Sequence, residues 1–336
     1  MTHEGAGPLV DRFGRQVTYL RLSVTDRCDL RCTYCMSEDM TFLPRRELLS
    51  LEELYRLSTV FIGLGVRKIR ITGGEPLVRK GIGHLFNALS RHLGNDDLDE
   101  VVLTTNGTQL AQHATMLASA GVRRVNVSLD TLDAGRYRQI TRGGQIERVL
   151  AGIEAALAAG LHVKLNAVAM RGSFEREVDA LIRFAHGRHM DLTLIEEMPL
   201  GLAGFDRANT YLPLGQLRQD LETRWTLSPL ADATGGPARY LRVAETGGRL
   251  GLITPMSCNF CHSCNRARVS SAGQLFTCMG QEGSVDLRAA LRGSESNIEV
   301  EGLIRQAVAA KPERHSFAIA DTSVSGVTRT MSALGG

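Results

Sequence analysis

The feature that most constrains the fold is a repeated alternation of strand-like and helix-like stretches between about residues 17 and 198. Strand candidates cover residues 17–25, 66–72, 101–105, 123–129, 162–168 and 191–197. Segments with helical periodicity lie between them. The first starts at Ser50 with Glu53 three positions on, a capping box ahead of Leu54, Leu57 and Phe61. Residues 81–92, 109–120, 145–159 and 174–186 follow. Six βα units in succession predict a parallel sheet, open or curled into a partial barrel.

The strand faces bear on that choice, because successive side chains point to opposite sides. Leu20, Leu22 and Val24 alternate with Tyr19, Arg21, Ser23 and Thr25. Ile69 and Ile71 alternate with Lys68, Arg70 and Thr72. Val125, Val127 and Leu129 oppose Asn126, Ser128 and Asp130, and Val163 and Leu165 oppose Lys164 and Asn166. A sealed barrel is filled with Val, Ile and Leu. A polar, basic face needs partners, so the interior is predicted to hold a ligand. A doubly wound sheet with polar strand ends ranks lower, since the polar face recurs in most strands.

After Met198 the pattern changes, which divides the chain into residues 1–200 and 201–336. Residues 199–209 read as loop and 214–225 as a helix. Residues 240–245 and 250–254 flank Gly247-Gly248 as a hairpin. A second hairpin across Ala272-Gly273 and two short helical stretches precede the terminal Gly335-Gly336.

Seven cysteines fall mainly into two groups, Cys28, Cys32 and Cys35, then Cys258, Cys261 and Cys264, with Cys278 further on. The first seven residues have no apolar core of signal-peptide length, so a cytoplasmic location with reduced, metal-ligating thiols is expected. No apolar run of about 18 residues argues for a membrane span. Lys plus Arg at 39 against Asp plus Glu at 36 gives only +3, which demands neither nucleic acid nor a membrane surface.

The first group follows the first strand, at the edge where ligand sites of parallel α/β folds gather. Three thiolates are one short of a closed site, so they suit an iron–sulfur cubane with one open iron, or zinc with a ligand from elsewhere. Thr72-Gly73-Gly74-Glu75-Pro76 ends the second strand, where missing Cβ atoms permit close approach of a ligand. Cys261-His262-Ser263-Cys264 and Cys278 form C-x₂-C-x₁₃-C, for which zinc with Cys258 or His262 is again open. Arg266 and Arg268 share a strand face, as do Lys68 and Arg70, with Lys164 on its own strand's polar face. Such groups converging on one cavity suit a triphosphate.

C-x₃-C-x₂-C with Tyr34 before its last cysteine, together with the Gly-Gly-Glu turn, resembles the radical S-adenosylmethionine (SAM) superfamily. Cys264-Asn265-Arg266-Ala267-Arg268 followed by Ser270-Ser271-Ala272-Gly273 resembles the GTP 3′,8-cyclase family within it. The match runs from about Phe13 to Gly336, and Thr328-Arg329-Thr330-Met331-Ser332 looks like that family's ending.

The resemblance implies a partial (β/α)6 TIM-like barrel of the radical SAM type, with a C-terminal α+β part carrying a second cluster. It implies two 4Fe-4S clusters, one on Cys28, Cys32 and Cys35 and one on Cys261, Cys264 and Cys278. It places SAM against Tyr34, Gly74, Ser128, Asn166 and Met198. It places GTP against Arg21, Arg70, Thr104, Lys164, Arg266 and Arg268, with the tail Gly335-Gly336 reaching in. The implied reaction makes a 5′-deoxyadenosyl radical that takes the ribose 3′ hydrogen of GTP. The product is (8S)-3′,8-cyclo-7,8-dihydroguanosine 5′-triphosphate, which opens molybdenum cofactor biosynthesis. An external one-electron donor, a homodimer and a functional link to cyclic pyranopterin monophosphate synthase come with it. Two departures stand out: Thr193, where the family often has Arg, and the additional Cys258. The alternatives are a radical SAM enzyme acting on a peptide and a zinc-stabilised nucleic-acid-binding protein.

Overall fold

The computed structural model describes residues 7–200, 207–231, 235–317, 327, 329–331 and 335. Strand β1 (Tyr19–Ser23) leads into helix α1 (Leu51–Gly63), followed by β2 (Lys68–Thr72), α2 (Ile82–Leu89), β3 (Glu100–Thr105) and α3 (Leu110–Ser119). Then come β4 (Arg124–Ser128), α4 (Ala134–Thr141), α5 (Ile146–Ala158), β5 (His162–Ala169), α6 (Phe174–His186) and β6 (Asp191–Glu196). The capping box expected at α1 is formed: Ser50 Oγ accepts from Glu53 N at 3.1 Å, and Glu53 Oε2 accepts from Ser50 N at 2.7 Å. Ser50→Ala should lower unfolding free energy by about 1 kcal/mol, seen as a lower urea midpoint at unchanged slope. Helix α4 has no counterpart in the periodicity reading. It buries only Tyr137 and Thr141, too little apolar surface to leave a pattern, and its start is set by Asp133 capping Arg136 N.

The later segment supplies α7 (Arg207–Thr210), α8 (Leu214–Glu222), β7 (Leu227–Pro229), β8 (Arg239–Val243), β9 (Arg249–Ile253), β10 (Arg266–Val269), β11 (Gln274–Phe276), β12 (Val285–Asp286), α9 (Arg288–Gly293) and α10 (Ile298–Ala309). Both expected hairpins are present, β8 with β9 and β10 with β11. Their placement is the unexpected part. Among the described residues the strands form one sheet in the order β12-β11-β10-β1-β2-β3-β4-β5-β6-β9-β8-β7. Strand β10 pairs parallel with β1, and β9 pairs parallel with β6. The C-terminal strands therefore continue the six-stranded parallel unit at both edges.

The two faces of the sheet separate as their side chains require. Leu20, Leu22, Ile69, Ile71, Val125, Val127 and Leu165 are fully buried in one core with the helices. Burial of such side chains contributes roughly 1.5–3 kcal/mol each, which holds the helical layer to the sheet. The opposite face lines a cavity with Tyr19, Arg21, Lys68, Arg70, Thr104, Asn126, Lys164 and Asn166. No helix among the described residues is long and apolar enough to cross a membrane.

Candidate active site

The first thiol triplet sits on the segment after β1, and the Gly-Gly-Glu turn holds that segment in place. Gly74 N donates to Thr25 O at 2.9 Å and Glu75 N to Arg27 O at 2.8 Å. A Cβ on Gly74 would lie 2.5 Å from Arg27 O, and one on Gly73 would lie 2.7 Å from Thr25 O. The close approach anticipated here is thus made by the protein's own backbone. Glu75 is buried and accepts from Leu77 N (3.0 Å), Thr105 Oγ1 (2.8 Å) and Asn106 N (2.7 Å). Burial pushes its carboxyl up to about 7 despite those bonds. Asn106 Nδ2 in turn donates to Asp29 Oδ1 at 2.8 Å and reaches Cys28 Sγ at 3.7 Å. Tyr34 donates its hydroxyl to Asp130 Oδ2 at 2.7 Å, and Asp130 Oδ1 accepts from Val168 N at 2.8 Å. The cysteine segment is thereby tied to the ends of β2, β3, β4 and β5.

The second triplet reaches the same cavity because β10 docks beside β1. Cys261 and Cys264 lie on the turn before β10, and Cys278 follows β11. All six thiols of the two triplets line the cavity. Within the first triplet, Cys28, Cys32 and Cys35 feel one another's charge, and in the second Cys278 feels Cys264 and Cys261. Cys28 and Cys264 are shifted in opposite directions, whereas burial raises Cys278 of the second triplet as it does Cys28 and Cys32 of the first. Burial, then Glu75 and Asp29, push the Cys28 thiol up to about 12. Burial raises Cys264 too, but Arg266 and Lys311 outweigh it and bring the thiol to about 7.

Between the triplets runs a row of cations set by strand register. Arg21 on β1 pairs with Arg268 on β10 and with Arg70 on β2. Three guanidinium groups side by side on adjacent strands repel one another. Burial, then Arg268, hold Arg21 well below the usual guanidinium range, and burial with Arg266 lowers Arg268 to about 10. Arg70 is steadied by Tyr19 and by Thr104 Oγ1 at 2.9 Å. Lys164 Nζ donates to Tyr240 Oη at 2.5 Å, and burial, then Arg70 and Arg124, bring its ammonium down to about 7. Arg21 Nε, Thr72 Oγ1, Asn126 Oδ1 and Asn166 Oδ1 are buried without a hydrogen-bond partner among the described residues. Buried polar groups normally find partners, so this wall suits a polar ligand that offers both donors and acceptors, with its anionic part beside the guanidinium row.

The cavity gathers the cysteines of both triplets with Tyr34, Gly74, Ser128, Asn166, Met198, Arg21, Arg70, Thr104, Lys164, Arg266 and Arg268. Gly335 O accepts from Arg21 Nη2 at 3.2 Å and from Arg268 Nη1 at 3.5 Å, so the tail touches the cation row. Gly336, Thr328 and Ser332 lie outside the described residues. Cys258 is exposed and is not among the lining residues described. Thr193 is buried on β6 opposite Gly251, where a Cβ would lie 2.8 Å from Thr193 Oγ1 and 3.1 Å from the Tyr240 ring. Asp130 is on the polar face expected from sequence, whereas Arg124, Arg15 and Lys311 are additions from the structure. Arg124 carries a readable signal, the same strand parity as Asn126, whereas Arg15 and Lys311 gain their meaning only from distant contacts.

The thiols fit iron–sulfur clusters by number, shared cavity and mutual charge. Among the described residues no three His, Cys, Asp or Glu side chains converge tightly enough for a single metal ion. A cubane binds its thiolates on separate irons and asks for no such single point.

Residues 22–185 match the Radical SAM superfamily, and residues 190–317 match the Molybdenum Cofactor Synthesis C family. The structure of Streptococcus suis SuiB bound to S-adenosylmethionine has a similar fold (TM-score 0.62, 16% identity, 89% of this chain and 69% of that one). Fold, cysteine triplet and Gly-Gly-Glu turn together define a radical SAM protein. The GTP 3′,8-cyclase of Brucella ovis is 58% identical over 330 residues, covering 98% of this chain and 96% of that one. The GTP 3′,8-cyclase of Agrobacterium fabrum is 58% identical over 334 residues, 99% of this chain and 96% of that one. The chain belongs to the GTP 3′,8-cyclase family.

Proposed function

We infer that this chain is a radical SAM enzyme that cyclises GTP between C3′ of the ribose and C8 of guanine, the opening step of molybdenum cofactor biosynthesis. Cys28, Cys32 and Cys35 hold one 4Fe-4S cluster, and Cys261, Cys264 and Cys278 hold the other. When bound, the clusters and SAM supply the one-electron chemistry that removes the ribose 3′ hydrogen. The chain's part is to seat both ligands in one cavity and exclude water from it. Tyr34, Gly74, Ser128, Asn166 and Met198 line the cavity and are assigned to SAM. Arg21, Arg70, Thr104, Lys164, Arg266 and Arg268 are assigned to GTP, as are Gly335, which touches that row, and, from the family relationship alone, Gly336.

The observation that carries this reading is the register of Arg268, Arg21 and Arg70 across β10, β1 and β2, on a cavity wall between the two triplets. A bound triphosphate turns that repulsion into charge-assisted hydrogen bonding, and lifts Lys164 back toward its usual range. The peptide-modifying alternative shares the fold but gives this row no purpose. Loss of one charged hydrogen-bond partner is worth about 1.5–3 kcal/mol, roughly 10- to 100-fold in an equilibrium. Arg268→Ala should therefore cut GTP cyclisation by that factor while SAM cleavage by the reduced enzyme survives. Loss of both activities together, with both clusters intact, would contradict this division of labour.

Further parts of the proposal rest on the family relationship. They are an external one-electron donor, a homodimer, a cytoplasmic location, and delivery of the product to cyclic pyranopterin monophosphate synthase. The functional division near residue 200 is likewise part of the proposal; the two family matches change over earlier, between residues 185 and 190 and ahead of β6.

A further inference from the structure

Lys311, directly after α10, is 2% exposed and ranks among the largest fully buried side chains. Burying an ammonium is costly unless something compensates its charge. Its Nζ donates to Arg266 O at 2.9 Å and to Thr277 O, and no carboxylate among the described residues pairs with it. Those two carbonyls flank the second thiol triplet: Thr277 precedes Cys278, and Arg266 lies two residues after Cys264. Burial holds the Lys311 ammonium below the usual lysine range; the Cys264 and Cys278 thiols act to raise it, while Arg15 and Arg266 lower it further.

The segment that carries Lys311 is stitched down around the same triplet. Arg15 Nη1 donates to Cys261 O and Glu313 O, both at 2.7 Å, and Nη2 donates to Pro312 O at 2.6 Å. Asp11 fixes the same guanidinium through Nε at 2.5 Å. Ser316 Oγ donates to Gly280 O at 2.8 Å, two residues beyond Cys278. These bonds fix the backbone of the segment that carries Lys311 beside the second triplet. Beside the first triplet the cation that bonds a ligand's carbonyl is the half-buried Arg31, whose Nη1 donates to Cys28 O at 2.8 Å, and Glu75 and Asp29 place negative charge beside the Cys28 thiol.

A fixed positive charge in a low-dielectric site favours the cluster state carrying the extra electron. We propose that Lys311 is the built-in counter-charge of the cluster on Cys261, Cys264 and Cys278, raising that cluster's reduction potential above what its thiolates alone would set. It is a positioning residue that acts through the cluster and does not touch substrate. The assignment rests on the two-cluster reading above.

The test is an anaerobic redox titration of the holoenzyme followed by electron paramagnetic resonance, with Lys311→Gln and Lys311→Arg. Single-cluster variants Cys32→Ala and Cys278→Ala assign the signals. Gln keeps a donor for the two carbonyls without the charge, and Arg keeps the charge. Lys311→Gln should lower the second cluster's reduction equilibrium at least tenfold, about 59 mV for one electron, leaving the first cluster's midpoint in place. Lys311→Arg should stay near the wild type. An unmoved midpoint in Lys311→Gln, or equal shifts in both clusters, overturns the proposal. Should Gln prevent assembly of the second cluster, assembly in the Arg variant supports the charge role, and failure in both variants overturns it. A wild-type protein with no second cluster would instead overturn the two-cluster reading itself.

Discussion

Cys32→Ala should abolish reductive SAM cleavage and halve the iron, from about eight to about four atoms per chain, as two four-iron clusters require. Cys32 is the middle ligand of the first triplet, and its backbone carbonyl also accepts from Cys35 N (3.0 Å) and Met36 N (3.2 Å). Those backbone bonds do not need the thiol, so the loop should persist while the cluster is lost. The second triplet is anchored separately, by the pairing of β10 with β1 and by Arg15, and should keep its iron. Iron and sulfide analysis, with methionine release as the measure of SAM cleavage, checks both halves. Full iron with SAM cleavage intact would remove Cys32 from the site.

Gly335→Ala should lower GTP cyclisation by roughly one to two orders of magnitude, the worth of one or two charged hydrogen bonds, with SAM cleavage and iron content retained. Gly335 has φ +74°, a backbone region that disfavours L residues by about 1–2 kcal/mol. A Cβ there would also collide with Thr72 Oγ1 and sit 3.0 Å from Ser23 Cβ. Thr72 and Ser23 are buried at the ends of β2 and β1, so neither can yield. The tail must withdraw, and Arg21 and Arg268 lose the carbonyl they share. Gly247 separates strain from fit: it also has positive φ, but nothing lies within 4 Å of a Cβ there. Gly247→Ala should leave turnover unchanged. Equal turnover in Gly335→Ala and wild type would mean that the tail has no part in catalysis.

Local pattern carried much of this architecture. The period-2 alternation on β1, β2, β4 and β5 identified both the core face and the cavity face, because one buried face imposes that alternation. Helix α6 runs from Phe174 to His186 as its periodicity indicates. What local pattern could not carry was long-range pairing. Nothing near Arg266 announces that β10 lies against β1, yet that register creates the Arg268–Arg21–Arg70 row. Likewise Arg15 reads as an ordinary charged residue near the start of the chain. Its partners are the carbonyls of Cys261, Pro312 and Glu313, some 246 to 298 positions away. The Gly73-Gly74 pair was legible as a demand for close approach, but the approaching atoms are the chain's own Thr25 and Arg27 carbonyls.

The most direct test of the central claim is electron paramagnetic resonance of anaerobically prepared, reduced protein with and without GTP. Two four-iron cluster signals are expected, and GTP should change the one that disappears in Cys278→Ala while leaving the other in place. Two clusters whose signals ignore GTP, or protein that carries zinc and no iron, would contradict the account.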